Sequence, residues 1–240
     1  MAKAPKAKKI DLVIEGDSWE RLPDWWPGTL PTVGGSDYDL TRALKARGLK
    51  VESYAHWGDT IASIAKTQEY LQALREYRPG HFLLGGGGND FLGEGRLKRY
   101  LNIFDPSLAA KDYLKPNFFA DLAKAMNAYA RVLKDISKVP EIAATKVIVH
   151  GYDYARPMSL LWIGEPMKEQ GIDNGGEKLM RGVVKALIDA FNIELKAFAA
   201  KTPNVIYVNL RNTVKDDWHD ELHPNKAAFE RCAAKIAAAM

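Results

Sequence analysis

Residues 9–19 read KIDLVIEGDSW, an apolar run that ends abruptly in Gly16-Asp17-Ser18-Trp19. Four further short apolar runs follow along the chain: LKVESYA at 49–55, HFLLGGG at 81–87, TKVIVHGYD at 145–153 and NVIYVNL at 204–210. Most of them are continuous rather than alternating, which is typical of strands buried on both faces of a parallel sheet. The sequence therefore predicts five parallel strands.

Helical patterns separate these strands, at Asp37–Arg47, Thr60–Tyr77, Asn117–Ser137, Glu177–Ala200 and Lys226–Ala239. Within Glu177–Ala200 the apolar residues recur every three or four positions, as on one buried helix face. Alternation of strands and helices implies right-handed crossovers and a sheet covered on both sides. We therefore predict an α/β fold, a three-layer α/β/α sandwich with a five-stranded parallel sheet, of the flavodoxin-like type.

The 240 residues fit a single α/β domain over 9–240, preceded by a basic tail at 1–8. Two segments match neither a strand nor a helix pattern, at about 91–116 and 155–176, and we interpret them as loop insertions. They follow the third and fourth strands, so they should emerge at the carboxyl edge of the sheet, where open parallel sheets bind ligands. Long loops in compact domains are usually functional.

The composition is that of an ordinary globular protein, with 47% apolar and 27% charged residues and a net charge of +4. Cys232 is the single cysteine, which excludes an intrachain disulfide and favours a reducing compartment. Neither a signal peptide nor an apolar stretch of about 18–20 residues is seen. We expect a cytoplasmic protein without a membrane span or a nucleic-acid partner.

Polar residues follow several of the predicted strands. Ser18 comes directly after the first strand, Gly58 after the second and Asn89 after the third, while Asp220 and His223 follow the fifth. Because carboxyl ends of parallel strands meet at one edge, these residues should share one rim of the sheet. They supply the nucleophile, base, orienting carboxylate and oxyanion donors that serine hydrolysis needs.

The sequence segments around Ser18, Gly58, Asn89 and His223 resemble the sequence blocks of the SGNH (GDSL-type) hydrolase family. Gly16-Asp17-Ser18-Trp19 matches the first block, with Trp19 in place of the usual leucine, and Gly58 matches the glycine of the second. Gly87-Gly88-Asn89-Asp90 matches Gly-x-Asn-Asp, and Asp220-Glu221-Leu222-His223 matches Asp-x-x-His. The order of the blocks and their strand contexts both agree, so the resemblance covers nearly the whole chain.

This resemblance implies acyl transfer with Ser18 as the nucleophile, exposed at a strand-to-helix transition. His223 would be its base, because neutral imidazole suits proton abstraction near pH 7, and Asp220 would orient the ring. The backbone N–H groups of Ser18 and Gly58 and the side chain of Asn89 would form the oxyanion hole. No cofactor or metal is expected.

Other readings of these motifs compete with that one. Asp216-Asp217-Trp218-His219 is a second Asp-x-x-His, but Pro224 and the helical pattern after it favour His223 as the base. The run GGGGND at 85–90 could bind phosphate, yet no Gly-Lys-Ser/Thr follows it. A catalytically silent binding or regulatory module on the same fold is the competing class of function.

The substrate is expected to be a small carboxylic ester or thioester. The sequence does not distinguish among four substrate classes: short-chain esters, O-acetylated sugars, acyl thioesters and lysophospholipids. Aromatic residues in loops near the predicted rim could form a partly hydrophobic substrate wall or lid, as in many ligand pockets. These residues are Trp19, Trp25, Trp26 and Trp162.

Overall fold

Five parallel strands form one sheet in a computed structural model that describes residues 9–23 and 38–240. In space they are ordered β2-β1-β3-β4-β5, and Leu12 of β1 pairs with Val51 on one side and His81 on the other. This order is that of flavodoxin-like folds and confirms the predicted fold class. The strands are Leu12–Glu15 (β1), Val51–Ser53 (β2), His81–Leu84 (β3), Lys146–His150 (β4) and Val205–Val208 (β5).

Helices cover the sheet in two groups, in which α1 packs against α9 while α6 packs against both α2 and α8. The α-helices of the described residues are Leu40–Ala46 (α1), Ile61–Thr67 (α2), Glu69–Tyr77 (α3), Gly88–Phe91 (α4), Leu97–Tyr100 (α5), Pro116–Ser137 (α6), Gly164–Glu169 (α7), Gly176–Lys201 (α8) and Lys226–Ala237 (α9). Within residues 9–23 and 38–240, no helix combines the length and apolarity needed to cross a bilayer.

The central strands are buried on both faces, as their continuous apolar sequence predicts. Leu12, Val13 and Ile14 of β1 are fully buried, and so are Phe82–Leu84 of β3. Each such side chain contributes roughly 1.5–3 kcal/mol by leaving water. The packing of these side chains thereby fixes the position at which β1 ends, and Ser18 follows that end of the strand.

The predicted helix Thr60–Tyr77 is two helices in the structure. Gln68 adopts a left-handed conformation (φ 60°) that ends α2 and begins α3. The buried positions explain the break: they are 61, 64 and 65 in α2 but 70, 73 and 74 in α3. One continuous helix would place positions 61 and 70 on opposite faces, whereas the break lets α2 pack against α6 and α3 against β1.

The two insertions predicted as loops are partly helical. The first contains a 3₁₀ turn at Gly93–Gly95, then α5, and a second 3₁₀ turn at Ala110–Tyr113. The second contains α7 and a 3₁₀ turn at Ile172–Gly175. These elements have three to six residues, which is too short for a 3.6-residue periodicity to be recognised in the sequence. The predicted tail at 1–8 lies outside the described residues.

Candidate active site

Ser18, His223 and Asp220 form a continuous chain of hydrogen bonds. Ser18 Oγ lies 2.9 Å from His223 Nε2, although the residues are 205 positions apart. On the other side of the ring, His223 Nδ1 lies 2.8 Å from Asp220 Oδ2. A proton on Nδ1 then faces the carboxylate, so Nε2 carries the lone pair that can accept the Ser18 hydroxyl proton.

The Asp220 carboxylate is buried but well supplied with donors. The backbone N–H groups of Leu222 and His223 both donate to its Oδ1 at 2.7 Å. Burial alone would raise the pKa of Asp220, but these bonds and the one from the His223 ring lower it below its ordinary value of 3.8. Asp220 is therefore charged at neutral pH and can stabilise a proton on His223.

The competing motif at 216–219 braces the same loop. The backbone N–H of His219 donates to the carbonyl of His223 at 2.7 Å, and burial lowers the pKa of the His219 side chain. The imidazole that faces Ser18 is that of His223.

Ser18 is positioned differently from the prediction of an exposed residue at a strand-to-helix transition. It lies in a tight turn after β1, closed by the N–H groups of Glu20 and Arg21 donating to the Asp17 carbonyl at 3.2 and 3.0 Å. The residue is only 7% exposed. Its hydroxyl faces the His223 ring and the wall of a pocket rather than open solvent.

Two of the predicted oxyanion donors lie at the neighbouring strand ends. Asn89 follows β3 in α4, and its Nδ2 donates to the Asp59 carbonyl at 3.0 Å, which orients the amide and leaves its second N–H available. Gly58 is exposed and has φ +85°, a conformation that L-residues with side chains rarely adopt. A Cβ there would meet no atom within 4 Å, so the structure explains this glycine by its backbone angle rather than by crowding.

Trp19 joins the Ser18 turn to the His223 loop. Its indole N–H donates to the carbonyl of Leu222 at 2.8 Å, across 203 positions of sequence. The ring is 3% exposed and packs edge-on against Tyr152 and Phe229 at centroid distances of 5.1 and 5.8 Å. The residue that departs from the usual Gly-Asp-Ser-Leu pattern thus supplies a hydrogen bond that leucine could not make.

A buried ion pair lies behind the same turn. Glu20 and His150 are fully buried, with Glu20 Oε1 2.6 Å from His150 Nε2, while His150 Nδ1 faces the Gly151 carbonyl at 3.0 Å. Both ring nitrogens face acceptors, an arrangement that favours a proton on each of them. Burial opposes the resulting charge, yet Glu20 and the Gly151 carbonyl raise the pKa of His150 above its ordinary 6.5.

The Glu20 carboxylate occupies space left by two glycines. A Cβ on Gly16 or on Gly85 would overlap the Glu20 side chain. The other oxygen of Glu20 accepts the backbone N–H of Asp17 at 3.0 Å. Glu20 therefore sits between the ends of β1 and β3 and holds the turn that carries Ser18.

Tyr152 connects the Ser18 turn to the Asn89 segment. Its hydroxyl donates to Asp17 Oδ2 at 2.6 Å and accepts the backbone N–H of Gly88 at 3.0 Å. The other Asp17 oxygen accepts the backbone N–H of Trp19 at 2.9 Å. Burial and the nearby Glu20 carboxylate raise the pKa of Asp17, and the bonds from Tyr152 and Trp19 oppose that rise.

Glu221 ties the second insertion to the His223 loop. It is fully buried, and its carboxylate accepts three backbone N–H groups of that insertion, those of Met158, Ile163 and Gly164, at 2.7, 2.9 and 2.7 Å. The same insertion brings the Trp162 ring edge-on to the His223 ring, with centroids 6.1 Å apart. Trp162 thus lies beside the site, whereas Trp25 and Trp26 are outside the described residues.

An apolar pocket of about 40 Å³ free volume adjoins Ser18. Ser18, Trp19 and Asn89 line this pocket. Trp19 is therefore part of the pocket wall as well as the link between the Ser18 turn and the His223 loop. Most of the remaining wall is aromatic or aliphatic and includes Phe91, Leu92, Tyr152, Leu187, Ile188, Phe191 and Trp218.

Sequence reasoning missed the residues that hold this site together, namely Glu20, Tyr152, His150 and Glu221. Glu20 and Glu221 look like ordinary solvated acids next to motif residues. Their one detectable signal is position, since each stands within two residues of a proposed catalytic side chain.

Comparison with known proteins identifies the family of the chain. The family model of the GDSL-like Lipase/Acylhydrolase matches residues 27–236, a range that begins after Ser18. No curated protein matches the chain.

Three solved structures share the fold, at identities that by themselves support the fold alone. An extracellular lipase from Streptomyces rimosus has a TM-score of 0.54 at 16% identity, over 96% of this chain and 100% of that one. A catalytic mutant of an acetylxylan esterase from Geobacillus stearothermophilus has a TM-score of 0.51 at 13% identity, over 97% and 95%. The catalytic domain of peptidoglycan O-acetyltransferase A from Streptococcus pneumoniae has a TM-score of 0.51 at 12% identity, over 96% and 92%. Since the family model spans most of the sequence, the chain belongs to the GDSL-like lipase/acylhydrolase family.

Proposed function

We propose that this acylhydrolase is a serine esterase that cleaves a small carboxylic ester through an acyl-enzyme. The observation that carries the proposal is the pair of contacts made by the His223 ring, 2.9 Å to Ser18 Oγ and 2.8 Å to Asp220 Oδ2. This is the geometry that a serine nucleophile, its general base and an orienting carboxylate require.

In the first half-reaction, Ser18 Oγ attacks the ester carbonyl carbon while its proton moves to His223 Nε2. The tetrahedral intermediate collapses by breaking the bond to the alkoxide, which takes that proton and leaves as the alcohol. Water then gives a proton to His223 and adds to the acyl carbon, and Ser18 leaves with the proton returned. Asp220 stabilises the transient imidazolium throughout.

The negative oxygen of the intermediate needs donors that are already in place. The backbone N–H groups of Ser18 and Gly58 and the free N–H of Asn89 Nδ2 are assigned to it. The bond from Asn89 to Asp59 supports this assignment, because it fixes the amide before substrate arrives. Losing one such donor typically costs 10²–10³ in rate, on the order of 3–4 kcal/mol.

Ser18→Ala tests the proposal. Hydrolysis of p-nitrophenyl acetate should fall by several orders of magnitude, because the members of such a triad act as a unit. Tyr38→Phe, at a partly exposed ring on the protein surface, is the matched single-atom control and should keep its activity. Retained hydrolysis in Ser18→Ala would refute the mechanism.

A fluorophosphonate probe separates an esterase from the competing silent module. Such a probe labels only an activated serine, so wild type should be labelled and Ser18→Ala should not. A folded wild-type protein that resists labelling would favour the binding module instead.

A further inference from the structure

Three aliphatic side chains lie between the pocket beside Ser18 and a second void. Leu92, Leu187 and Ile188 line this pocket, and the same three residues line a second void of about 10 Å³. All three are nearly buried, with 7%, 4% and 3% exposure. They are therefore a partition one side chain thick between two apolar spaces.

Beyond the partition the second void is wholly apolar. Its remaining wall comes from α8 and the two insertions, through Leu97, Ile163, Met167, Val183 and Val184. Nothing polar there would oppose the entry of a hydrocarbon chain. The obstacle is the partition itself.

The free volume on the Ser18 side limits what can bind there. A water-sized group needs roughly 10–15 Å³ of such space, so about 40 Å³ holds three or four groups. An ester whose carbonyl carbon meets Ser18 Oγ can place about three further carbons in it. Resting on the proposed function, we infer that this enzyme takes short acyl groups, from acetyl to butyryl, and that the Leu92–Leu187–Ile188 partition sets the limit.

The charges around the pocket agree with an uncharged acyl chain. Two carboxylates line it. Both oxygens of Asp17 are engaged, by Tyr152 and by the backbone N–H of Trp19, and both oxygens of Asp153 accept backbone N–H groups, among them those of Asn212 and Thr213. The aromatic rings of Phe91, Phe191 and Trp218 supply much of the rest of the wall. A charged or polyhydroxylated acyl group would find few free partners there.

The test compares p-nitrophenyl acetate, butyrate and octanoate. For wild type, kcat/KM for octanoate should be at least about tenfold below that for butyrate. Leu187→Ala joins the two voids and should raise the octanoate-to-butyrate ratio at least about tenfold. Ile188→Ala removes another part of the partition and serves if Leu187→Ala does not fold.

Val183→Ala is the matched control on the same helix. Val183 is fully buried and lines the second void but not the pocket beside Ser18, so its truncation enlarges that void without opening it to Ser18. The chain-length ratio should stay at the wild-type value. An equal shift in Val183→Ala and Leu187→Ala, or wild-type octanoate turnover matching butyrate, would overturn the inference.

Binding of the product acids separates this inference from the proposed function. In Ser18→Ala, which cannot form an acyl-enzyme, butyrate should perturb the NMR signals of the pocket while octanoate does so only when Leu187→Ala is added. That chain-length cutoff would support the pocket even if no ester were hydrolysed by wild type. Equal binding of both acids to Ser18→Ala would overturn it even if the esterase mechanism held.

Discussion

Replacing Trp19 with phenylalanine removes the hydrogen bond between the Ser18 turn and the His223 loop while keeping an aromatic ring. The indole N–H donates to the Leu222 carbonyl at 2.8 Å, directly before His223 in the chain. Phenylalanine leaves that partly buried carbonyl without its donor, which costs about 1–2 kcal/mol. The smaller ring also loses contacts in a site that is only 3% exposed, for about 1 kcal/mol more.

We therefore expect Trp19→Phe to lower the free energy of unfolding by about 2–3 kcal/mol, measured by urea denaturation. Activity should fall as well, because the contact between Ser18 and His223 depends on the relative position of their two loops. A misplacement near 1 Å can cost on the order of 10²-fold in rate. The loss should appear mainly in kcat for p-nitrophenyl acetate, since Trp19 acts on the base and nucleophile through the loops.

Trp218→Phe is the control for ring size. Trp218 lies in the same aromatic cluster, 6.2 Å from the Trp19 ring, and is half-buried. Among the residues that the structure describes, its indole N–H has no hydrogen-bond partner, so the same truncation should cost less than about 1 kcal/mol. Equal losses of stability in the two variants, with kcat unchanged in Trp19→Phe, would refute the proposed bracing role.

Two further changes test buried carboxyl groups by kinetics and by urea unfolding across pH. Asp220→Asn should lower kcat on the order of 10³–10⁴-fold, because an amide facing His223 Nδ1 favours the wrong tautomer. The pKa of Asp220 in the folded protein lies below its ordinary value of 3.8, so the charged carboxylate stabilises the fold above pH 3.8 and this contribution is lost as the pH falls through the folded pKa. The difference in unfolding free energy between wild type and Asp220→Asn should therefore disappear in acid. Glu15 is 2% exposed, its Oε2 has no partner among the described residues, and burial followed by repulsion from Glu69 and Asp59 raises its pKa to about 9. Its carboxyl stays protonated in the folded state but ionises in the unfolded state above pH 4.5. Glu15→Gln should therefore raise the free energy of unfolding by up to about 3 kcal/mol at pH 7 and hardly change it at pH 4. A difference from wild type that does not change with pH would contradict this.

The fold and the rim of the site could be predicted because both follow from local patterns. Continuous apolar runs identify buried parallel strands, and parallel strands place their carboxyl ends at one edge. Ser18, Asn89 and the His223 loop are found together for that reason. The break at Gln68 was not predicted, because a stripe that shifts phase by one or two residues still looks helical in the sequence.

Long-range polar contacts account for most of what the sequence could not predict. Glu20 reaches His150 across 130 positions, and its charge next to a turn looks like that of a solvated residue. The glycine run at 85–88 was considered as a phosphate-binding loop. In the structure its Gly85 leaves space for Glu20, and its Gly87 would clash with Phe191 if it carried a Cβ. These two glycines are therefore required by side chains that approach them from distant segments.

The turn that carries Ser18 is held by the start of α1 and by side chains. The backbone N–H groups of Leu40 and Thr41 donate to the Trp19 and Glu20 carbonyls at 3.0 and 3.2 Å. The contact between Glu20 and His150 anchors this turn to the end of β4, and Tyr152 links Asp17 to the Asn89 segment. A buried ion pair adds little net stability, because desolvation of both charges offsets their attraction. What such a pair does supply is a single geometry, because a ring whose two nitrogens face fixed acceptors and a carboxylate held between two glycines have one arrangement that satisfies both. If Ser18 is the nucleophile, as proposed, its Oγ must stay within hydrogen-bond distance of His223, 205 positions away, and a contact with one satisfied arrangement serves that need whatever its net stability.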